Sequence, residues 1–290
     1  MSDHAPSTVL VLGATGHVGT HVVEGLRARG IRVRAFARHP RPVAGVESVA
    51  GDVTDRAALR RAADGVDGTF LLWPVLETGA AAGAVSTLAG GGRRLVYLSA
   101  ATIDDERAAG PIADLHQRLE SLVRSSPARW TLLRAGGFAT NTLAWAPQIQ
   151  RGDEITIPFP LAARSLVHER DLADVAVRAL TEPGHAGRHY ALTGPEALTQ
   201  AAQIAAIGAA IGRSLRAVDQ APEDALRDLV AFGLPAGAAR GALDYWAGLV
   251  QTPEAVSGDV AAITGRPART FTQWAREHAA EFAATASPTG

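Results

Sequence analysis

The amino-acid sequence predicts a doubly wound α/β protein, with a parallel sheet covered by helices on both faces and a smaller, mostly helical C-terminal lobe. Two observations carry this prediction. Short apolar, β-branched segments alternate with helical patterns through the first half of the chain, beginning at residues 8–12. From residue 198 onward the pattern is mainly helical.

The alternation defines each element of the first half in turn. We expect strands at 8–12, 32–37, 46–50, 68–72, 95–99 and 130–134, and helices at 17–29, 56–63, 78–89 and 112–125. Strands that alternate with helices favour a parallel sheet, in which ligands bind beyond the carboxyl ends of the strands.

The second half changes character after about residue 137. We expect a helix at 141–151, an extended segment at 154–158, a helix at 171–180 with Asp171 as its N-cap, and a strand at 189–192 that returns to the sheet. Thr199 precedes an Ala/Ile-rich helix, and Thr252-Pro253-Glu254 has the order of residues that begins a helix.

These patterns divide the chain into two parts. Residues 1–150 form the sheet domain, completed by 164–194, and residues 151–163 and 195–290 form the smaller lobe on the substrate side.

The composition is that of an ordinary globular protein. Hydrophobic residues make up 47%, charged residues 20%, and the net charge is −1, so nothing indicates a nucleic-acid or membrane-surface partner. No apolar run approaches the roughly 20 residues of a membrane span. The polar N-terminus leads directly into a strand, unlike a signal peptide. We therefore expect a cytoplasmic protein, as a monomer or homodimer, with a small-molecule partner.

Two residue types are missing, and both absences exclude chemistry. The chain has no cysteine, which removes thiolate nucleophiles and cysteine-bound metals. It also has no lysine, so all 28 basic residues are arginines. Schiff-base chemistry and a Tyr-Lys proton relay are therefore excluded.

A glycine-rich turn follows the first strand and opens the first helix. Its segment Gly13-Ala14-Thr15-Gly16-His17-Val18-Gly19 has the spacing of a Rossmann-type dinucleotide site: a tight turn, then close approach of a pyrophosphate, then close helix packing. The helix N-terminus supplies free N–H groups to the phosphates. The alternative is a purely structural glycine turn.

The second strand ends in Arg38, where NAD-binding proteins usually carry an acidic residue. A guanidinium can pair bidentately with a 2′-phosphate, which a carboxylate would repel. The sequence therefore predicts NADP(H) as cofactor; the alternative is a solvated loop residue.

Further cofactor contacts are expected at the ends of the next two strands. Asp52, followed by Val53, could bind the adenine amino group, whereas Thr54 or Asp55 would cap the following helix. Leu72 and Trp73 would line the cofactor site, with Trp73 either in the core or at the rim and open to a substrate.

The chain resembles the NmrA-like atypical short-chain dehydrogenase/reductases over nearly its whole length. The resemblance is carried in order by GATGHVG, ARHP, GDVTD, VYLSA, HQRLE, WTLLRAGGFATN, HERDLADVA and YALTGPEALT. It implies an active site in the cleft between a dinucleotide-binding domain and a small C-terminal lobe. The family contains reductases of quinones, ketones and azo compounds, as well as regulators that bind NADP without turnover.

The sequence departs from the superfamily's Ser, Tyr and Lys, of which the last two form Tyr-x-x-x-Lys after the fifth strand. Ser99 matches the serine. If HQRLE aligns with the K-x-x-x-E of many members, His116 stands at the lysine position and Ile112 at the tyrosine position. Neither Tyr97 nor Tyr190 has the spacing to replace the missing phenol.

The remaining candidates for chemistry lie on the expected cleft. A proton could come from His116, from Ser99 or from water, and His116 could instead bind a ribose hydroxyl or belong to the core. Gly136 and Phe138 follow the sixth strand and would contact the cofactor. Phe138, Asn141 and Trp145 would cover a planar, aromatic or polycyclic substrate, or pack in the core. Tyr245 and Trp246 are weaker candidates from the helical lobe. His185 and His189 do not have the setting of a metal site.

Three functions follow from these residues. The first is an NADPH-dependent oxidoreductase that reduces a ketone, quinone or conjugated acceptor by hydride transfer without a Tyr-Lys pair. The second is a non-catalytic NADP(H)-sensing regulatory protein. The third, an epimerase or dehydratase that recycles bound NAD, is disfavoured by Arg38 and by the missing relay.

Overall fold

The computed structural model describes residues 5–40, 42–105 and 110–283, and a parallel sheet lies at its centre. The strands are β1 (Thr8–Leu12), β2 (Arg32–Ala37), β3 (Glu47–Ala50), β4 (Gly68–Leu71), β5 (Arg94–Ala100), β6 (Arg129–Ala135), β7 (Glu154–Ile157), β8 (Ala163–Arg164), β9 (Arg188–Leu192), β10 (Leu198–Thr199) and β11 (Arg216–Asp219). In the described part of the chain, seven of them form one sheet in the order β3-β2-β1-β4-β5-β6-β9.

Helices cover both faces of this sheet and build the C-terminal lobe. They are α1 (His17–Ala28), α2 (Arg56–Ala63), α3 (Ala81–Leu88), α4 (Pro111–Arg124), α5 (Ala146–Arg151), α6 (Glu169–Thr181), α7 (Gln200–Ala210), α8 (Pro222–Ala231), α9 (Ala236–Gly248), α10 (Asp259–Thr264), α11 (Phe271–Glu277) and α12 (Ala279–Phe282). None of the helices in the described ranges is long and apolar enough to span a membrane.

The interior strand β1 explains the doubly wound arrangement. Successive side chains of a strand point to opposite faces. Val9 and Val11 accordingly enter the core beneath α1 and α6, whereas Leu10 and Leu12 enter the core beneath α2, α3 and α4. All five residues of β1 are buried, as the unbroken apolar run predicts.

The expected elements of the first half are confirmed, with their ends shifted by a few residues. The strand that returns to the sheet is β9, and it pairs with β6 in parallel from Thr131↔Arg188 to Ala135↔Leu192. The helix expected at 141–151 begins as a 3-10 helix over Ala139–Trp145 and continues as α5.

Two predicted helix starts are wrong. Helix α6 begins at Glu169, and its N-cap is His168, whose Nδ1 accepts a hydrogen bond from the backbone of Arg170 at 3.1 Å. Asp171, predicted as the N-cap, lies inside the helix because its buried carboxylate binds Arg269.

The second wrong start is at Thr252-Pro253-Glu254, where no helix begins. Glu254 is buried and accepts hydrogen bonds from the backbone of Ser165 at 2.8 Å and from the hydroxyl of Tyr245 at 2.9 Å. These tertiary bonds hold an extended segment in place of a helix, and the next helix, α10, starts at Asp259.

The C-terminal lobe combines helices with two small sheets. Strand β11 pairs with β7 in parallel, and β10 pairs with β8 in the antiparallel sense. The lobe has its own core around Ile155, Ile204 and Trp274. Helix α10, however, packs on α6, and Val260 belongs to the same core as Val9. The domain boundaries stay a prediction.

Candidate active site

Two adjoining cavities lie beyond the carboxyl ends of the sheet strands. The first, here called the sheet-edge cavity, measures about 930 Å³ and follows the ends of β4, β5 and β6. The second, here called the lobe cavity, measures about 890 Å³ and lies between the 3-10 segment before α5 and helices α8 and α9. Five residues line both cavities: Thr102, Ile112, Asn141, Arg164 and Tyr245. One ligand could therefore occupy both.

The glycine turn adopts a backbone that other residues would not allow. Gly13 has a φ of 70°, in the left-handed region that favours glycine. The backbone N–H of Gly16 donates to the carbonyl oxygen of Gly13 at 2.9 Å. A Cβ on Gly19 would lie 2.0 Å from that same oxygen, so α1 packs directly on the turn. Gly19 thus allows the close packing that the spacing predicts, and α1 packs here against the turn itself.

The N-terminus of α1 offers its N–H groups to a ligand. Gly16 is the N-cap, no side chain caps the helix, and its first turn carries no acidic residue. Thr15 and His17 are exposed, and His17 lines the lobe cavity. Val18 is buried in the core, so only its backbone can contact a ligand. Free N–H groups at the positive end of a helix fit a pyrophosphate.

Arg38 and Asp52 lie beside each other at the far end of the site. Arg38 is exposed directly after β2. Hydrogen bonds from the backbone and hydroxyl of Thr54 lower the pKa of Asp52, and the charge of Arg38 adds to this effect against burial. Val53 is buried. Asp55 caps α2 by accepting from the backbone of Ala57 at 2.8 Å, as the alternative predicted.

Leu72 and Trp73 follow β4 and line the sheet-edge cavity. Leu72 lies against the glycine turn, 3.5 Å from the position that a Cβ on Gly13 would take. Trp73 is a core residue with one edge on the cavity: it is 6% exposed and donates its indole N–H to the carbonyl oxygen of Glu77 at 3.2 Å.

His116 lies in the sheet-edge cavity and is held from behind by a buried tyrosine. The hydroxyl of Tyr97 lies 2.7 Å from Nδ1 of His116, and Tyr97 is fully buried. Burial lowers the pKa of His116 to about 4, although the charge of Glu120 acts in the opposite direction. The imidazole is therefore neutral near pH 7. Ile112, one turn earlier on α4, lines both cavities and places an apolar side chain at the tyrosine position.

Ser99 is bound to a buried ion pair. Its hydroxyl donates to Glu120 at 2.8 Å, and Arg134 holds the other carboxylate oxygen at 2.7 Å. Burial alone would raise the pKa of Glu120, but the hydrogen bonds from Arg134 and Ser99 bring that pKa below its ordinary value. Because its proton faces Glu120, Ser99 presents oxygen lone pairs, and no proton, to the cavity.

The remaining candidates divide between the two cavities. Gly136 and Phe138 line the sheet-edge cavity, Trp145 and Trp246 line the lobe cavity, and Asn141 and Tyr245 line both. Their roles stay predictions.

The two histidines near the last strand of the sheet lie apart from the cavities. His185 Nδ1 contacts the hydroxyl of Tyr190 at 2.8 Å. Within the described ranges, no three His, Asp or Glu side chains form a group that could hold a metal ion.

Sequence reasoning missed five residues: Tyr97 as a partner of His116, the pair Glu120 and Arg134, and the pair Arg164 and Glu254. The contact between Tyr97 and His116 could have been found from the sequence. Tyr97 and Ser99 share one face of β5, and His116 and Glu120 share one face of α4. Arg164 and Glu254 are 90 residues apart, and no local pattern joins them.

Comparison with known proteins identifies the family of the chain. A family described as NAD(P)H-binding matches residues 13–183. The chain is 40% identical over 285 residues to a (4-alkanoyl-5-oxo-2,5-dihydrofuran-3-yl)methyl phosphate reductase of Streptomyces griseus, covering 95% of this chain and 99% of the relative. It is 32% identical over 286 residues to an NAD(P)H azoreductase of Xenophilus azovorans, covering 95% and 99%.

The chain is also similar to solved structures of oxidoreductases. An NADPH-dependent quinone oxidoreductase of Escherichia coli, complexed with NADPH, superposes with a TM-score of 0.76 at 25% identity, over 93% of this chain and 99% of that one. Fold and site thus define a dinucleotide-binding α/β protein of the oxidoreductase class. The chain belongs to the NAD(P)H-binding family, among the NmrA-like atypical short-chain dehydrogenase/reductases, and its cofactor is NAD(P)H.

Proposed function

We propose that this protein is an NADPH-dependent reductase of acceptors whose reducible double bond is conjugated to a carbonyl group. The observation that carries the proposal is the neutral, tyrosine-held imidazole of His116 in the sheet-edge cavity, next to the apolar Ile112. This site has a hydrogen-bond donor for an oxygen atom and lacks the phenol of a Tyr-Lys pair.

The hydrogen bond with Tyr97 determines which ring nitrogen of His116 carries the proton. Burial raises the pKa of Tyr97 far above its ordinary value, so the phenol keeps its proton. Among the described residues, His116 is the hydroxyl's hydrogen-bond partner. A phenol is the better donor and an imidazole nitrogen the better acceptor, so Tyr97 donates to Nδ1. The ring proton then resides on Nε2, which is free to donate to a substrate.

A neutral imidazole suits conjugated acceptors better than isolated ketones. Hydride addition to an isolated ketone leaves a localised alkoxide, which needs a proton from a good acid. Hydride addition to a conjugated double bond leaves an enolate, whose charge is spread over carbon and oxygen. One positioned N–H donor on the enolate oxygen is then sufficient.

The chain's own residues divide the work as follows. The N–H groups of α1 would hold the pyrophosphate, and Arg38 would hold the 2′-phosphate. NADPH, when bound there, would supply the hydride for the β-carbon of the acceptor. The π electrons of the double bond move toward the carbonyl oxygen, where His116 Nε2–H donates a hydrogen bond. Water delivers the proton that the α-carbon takes up. The hydroxyl oxygen of Ser99 acts as a hydrogen-bond acceptor.

The printed names of the relatives support this acceptor class. The Streptomyces griseus relative is named for an unsaturated, alkanoyl-bearing lactone, and the Escherichia coli structure for a quinone. Both acceptors carry a double bond next to a carbonyl group.

Loss of NADPH absorbance with matched acceptors tests the proposal. We expect turnover with an acyl butenolide and a quinone, and none with the saturated lactone or an aliphatic ketone. Faster reduction of the isolated ketone would refute the choice of acceptor. Tight NADPH binding without oxidation by any acceptor would refute the reductase and support the NADP(H)-sensing alternative.

Three finer expectations stay predictions beside this proposal. They are an aromatic or polycyclic shape for part of the substrate, a monomeric or homodimeric state, and a cytoplasmic location.

A further inference from the structure

Arg164 lies where the two cavities meet. It ends the short strand β8, where Leu198 of β10 pairs with it, so its backbone position is fixed by a ladder. Its side chain is only 13% exposed, yet it lines both the sheet-edge cavity and the lobe cavity.

The guanidinium of Arg164 has unused hydrogen-bonding capacity. A guanidinium carries five N–H donors. The nearest carboxylate oxygen belongs to Glu254, 3.6 Å from Nε, which is beyond hydrogen-bond distance. Nε is buried and has no hydrogen-bond partner among the described residues. Glu254 itself already accepts from Ser165 and Tyr245.

The surroundings are shaped around this side chain. A Cβ on Gly137 would lie 2.1 Å from a terminal nitrogen of Arg164, so glycine makes room for the guanidinium at the end of β6. On the lobe side the guanidinium carbon lies 5.7 Å from the ring centre of Trp246. The charge is thus held in place without consuming its donors.

We propose that Arg164 binds an oxyanion, a phosphate or a carboxylate, carried by the substrate, and that the lobe cavity receives an apolar tail of the same molecule. The inference rests on the proposed function and names the substrate class of that site. A planar guanidinium binds such groups bidentately. Glu254 orients the arginine and prevents a surplus of positive charge when the site is empty.

The cofactor's 2′-phosphate is not the group that fits Arg164. Arg38 follows β2, whereas Gly137 follows β6, and in the sheet these strands are four spacings apart. Neighbouring strands lie about 4.8 Å apart, so the strand ends beside Arg38 and Arg164 are about 19 Å apart. Arg164 therefore belongs to the substrate end of the site.

The tail follows from the lining of the lobe cavity. Its wall beyond Arg164 is largely apolar, with Leu229, Leu234 and Ala238, and it ends at Phe232, which is 77% exposed. The acidic residue on this wall, Asp228, is exposed at the rim and accepts a hydrogen bond from Gln220. A volume of about 890 Å³ suits a chain of several methylene groups beside a ring.

Calorimetric titration of the NADPH-loaded protein tests both parts with simple probes. We expect octyl phosphate or octanoate to bind at least about tenfold tighter than octanol, as charge-assisted hydrogen bonds require. Whichever anion binds tighter identifies the headgroup. Methyl phosphate should bind about tenfold weaker than octyl phosphate, because it leaves the lobe cavity unfilled.

Variants assign the preference to one residue. In Arg164→Gln the three octyl probes should bind alike while NADPH affinity is kept. The matched control Arg240→Gln, which removes an exposed arginine of α9 outside both cavities, should keep the wild-type preference. Gly137→Ala should also lose the preference, because the new Cβ displaces the guanidinium.

The outcomes separate this inference from the proposed function. Equal binding of octyl phosphate, octanoate and octanol by the wild type, or a preference kept in Arg164→Gln, would overturn the oxyanion site. Equal binding of methyl and octyl phosphate would overturn the tail. A clear anion preference without reduction of any acceptor would support the site and refute the reductase.

Discussion

Replacing Tyr97 by phenylalanine removes one hydroxyl from the core and nothing from the cavity wall. The hydroxyl lies 2.7 Å from Nδ1 of His116, and Tyr97 is fully buried. A neutral hydrogen bond of this kind contributes about 0.5–1.5 kcal/mol net, and an unsatisfied Nδ1 costs about 1–3 kcal/mol. The imidazole of the variant would then populate both neutral tautomers, and the Nε2–H donor would be present only part of the time.

The expected result is a fall in kcat of up to about tenfold, equivalent to at most about 1.4 kcal/mol, with little change in KM for NADPH. The acid limb of the rate profile should move to higher pH, since Tyr97 no longer favours the unprotonated Nδ1. ¹⁵N NMR of labelled histidine should show the Nε2–H form of His116 in the wild type and a mixture in the variant.

The chain contains a matched control for this variant. Tyr190 contacts Nδ1 of His185 at 2.8 Å, in the same kind of pair but outside both cavities. Because Tyr190 and His185 are only partly buried, Tyr190→Phe should cost less free energy of unfolding than Tyr97→Phe, and it should leave kcat unchanged. An unchanged kcat in Tyr97→Phe, or an equal fall in both variants, would refute the role of Tyr97 as a positioning residue.

Three further variants test the cofactor site and the C-terminal contacts. Arg38→Glu should raise the Kd for NADPH by at least about tenfold and leave that for NADH nearly unchanged, because it replaces a charge-assisted pair by a repulsion; equal shifts by fluorescence titration would contradict it. Gly19→Ala places a Cβ 2.0 Å from a carbonyl oxygen, so it should lower Tm and NADPH affinity, whereas Gly152→Ala, which meets nothing within 4 Å, should not. The hydrogen bond with Glu169 raises the pKa of His278 above 6.5, so this contribution to stability is complete below that pH and is lost as pH rises through the folded pKa. His278→Gln should therefore lower the free energy of unfolding, measured by urea denaturation, more on the acid side than on the alkaline side; an equal loss at both would contradict the assignment.

The local patterns of the chain were sufficient for most of the sheet domain. β1 and the glycine turn are specified by neighbouring residues: an apolar run that both faces bury, then Gly13 with its positive φ and Gly19, where a Cβ would collide with the turn. The same reasoning failed at Asp171 and at residues 252–254. In both places a local capping signal competes with a buried tertiary hydrogen bond, and the tertiary bond prevails.

The sequence by itself determined the class of fold, the position of the dinucleotide turn, the missing lysine and the arginine at the end of β2. These properties depend on residue type and spacing along the chain. Only the tertiary structure decided what the site contributes chemically. Burial makes His116 neutral, Tyr97 orients it, and Glu120 accepts the hydrogen bond that the Ser99 hydroxyl donates. Arg164 meets Gly137 and Glu254 only after folding, because desolvation and hydrogen bonding between distant segments depend on packing and on no local pattern.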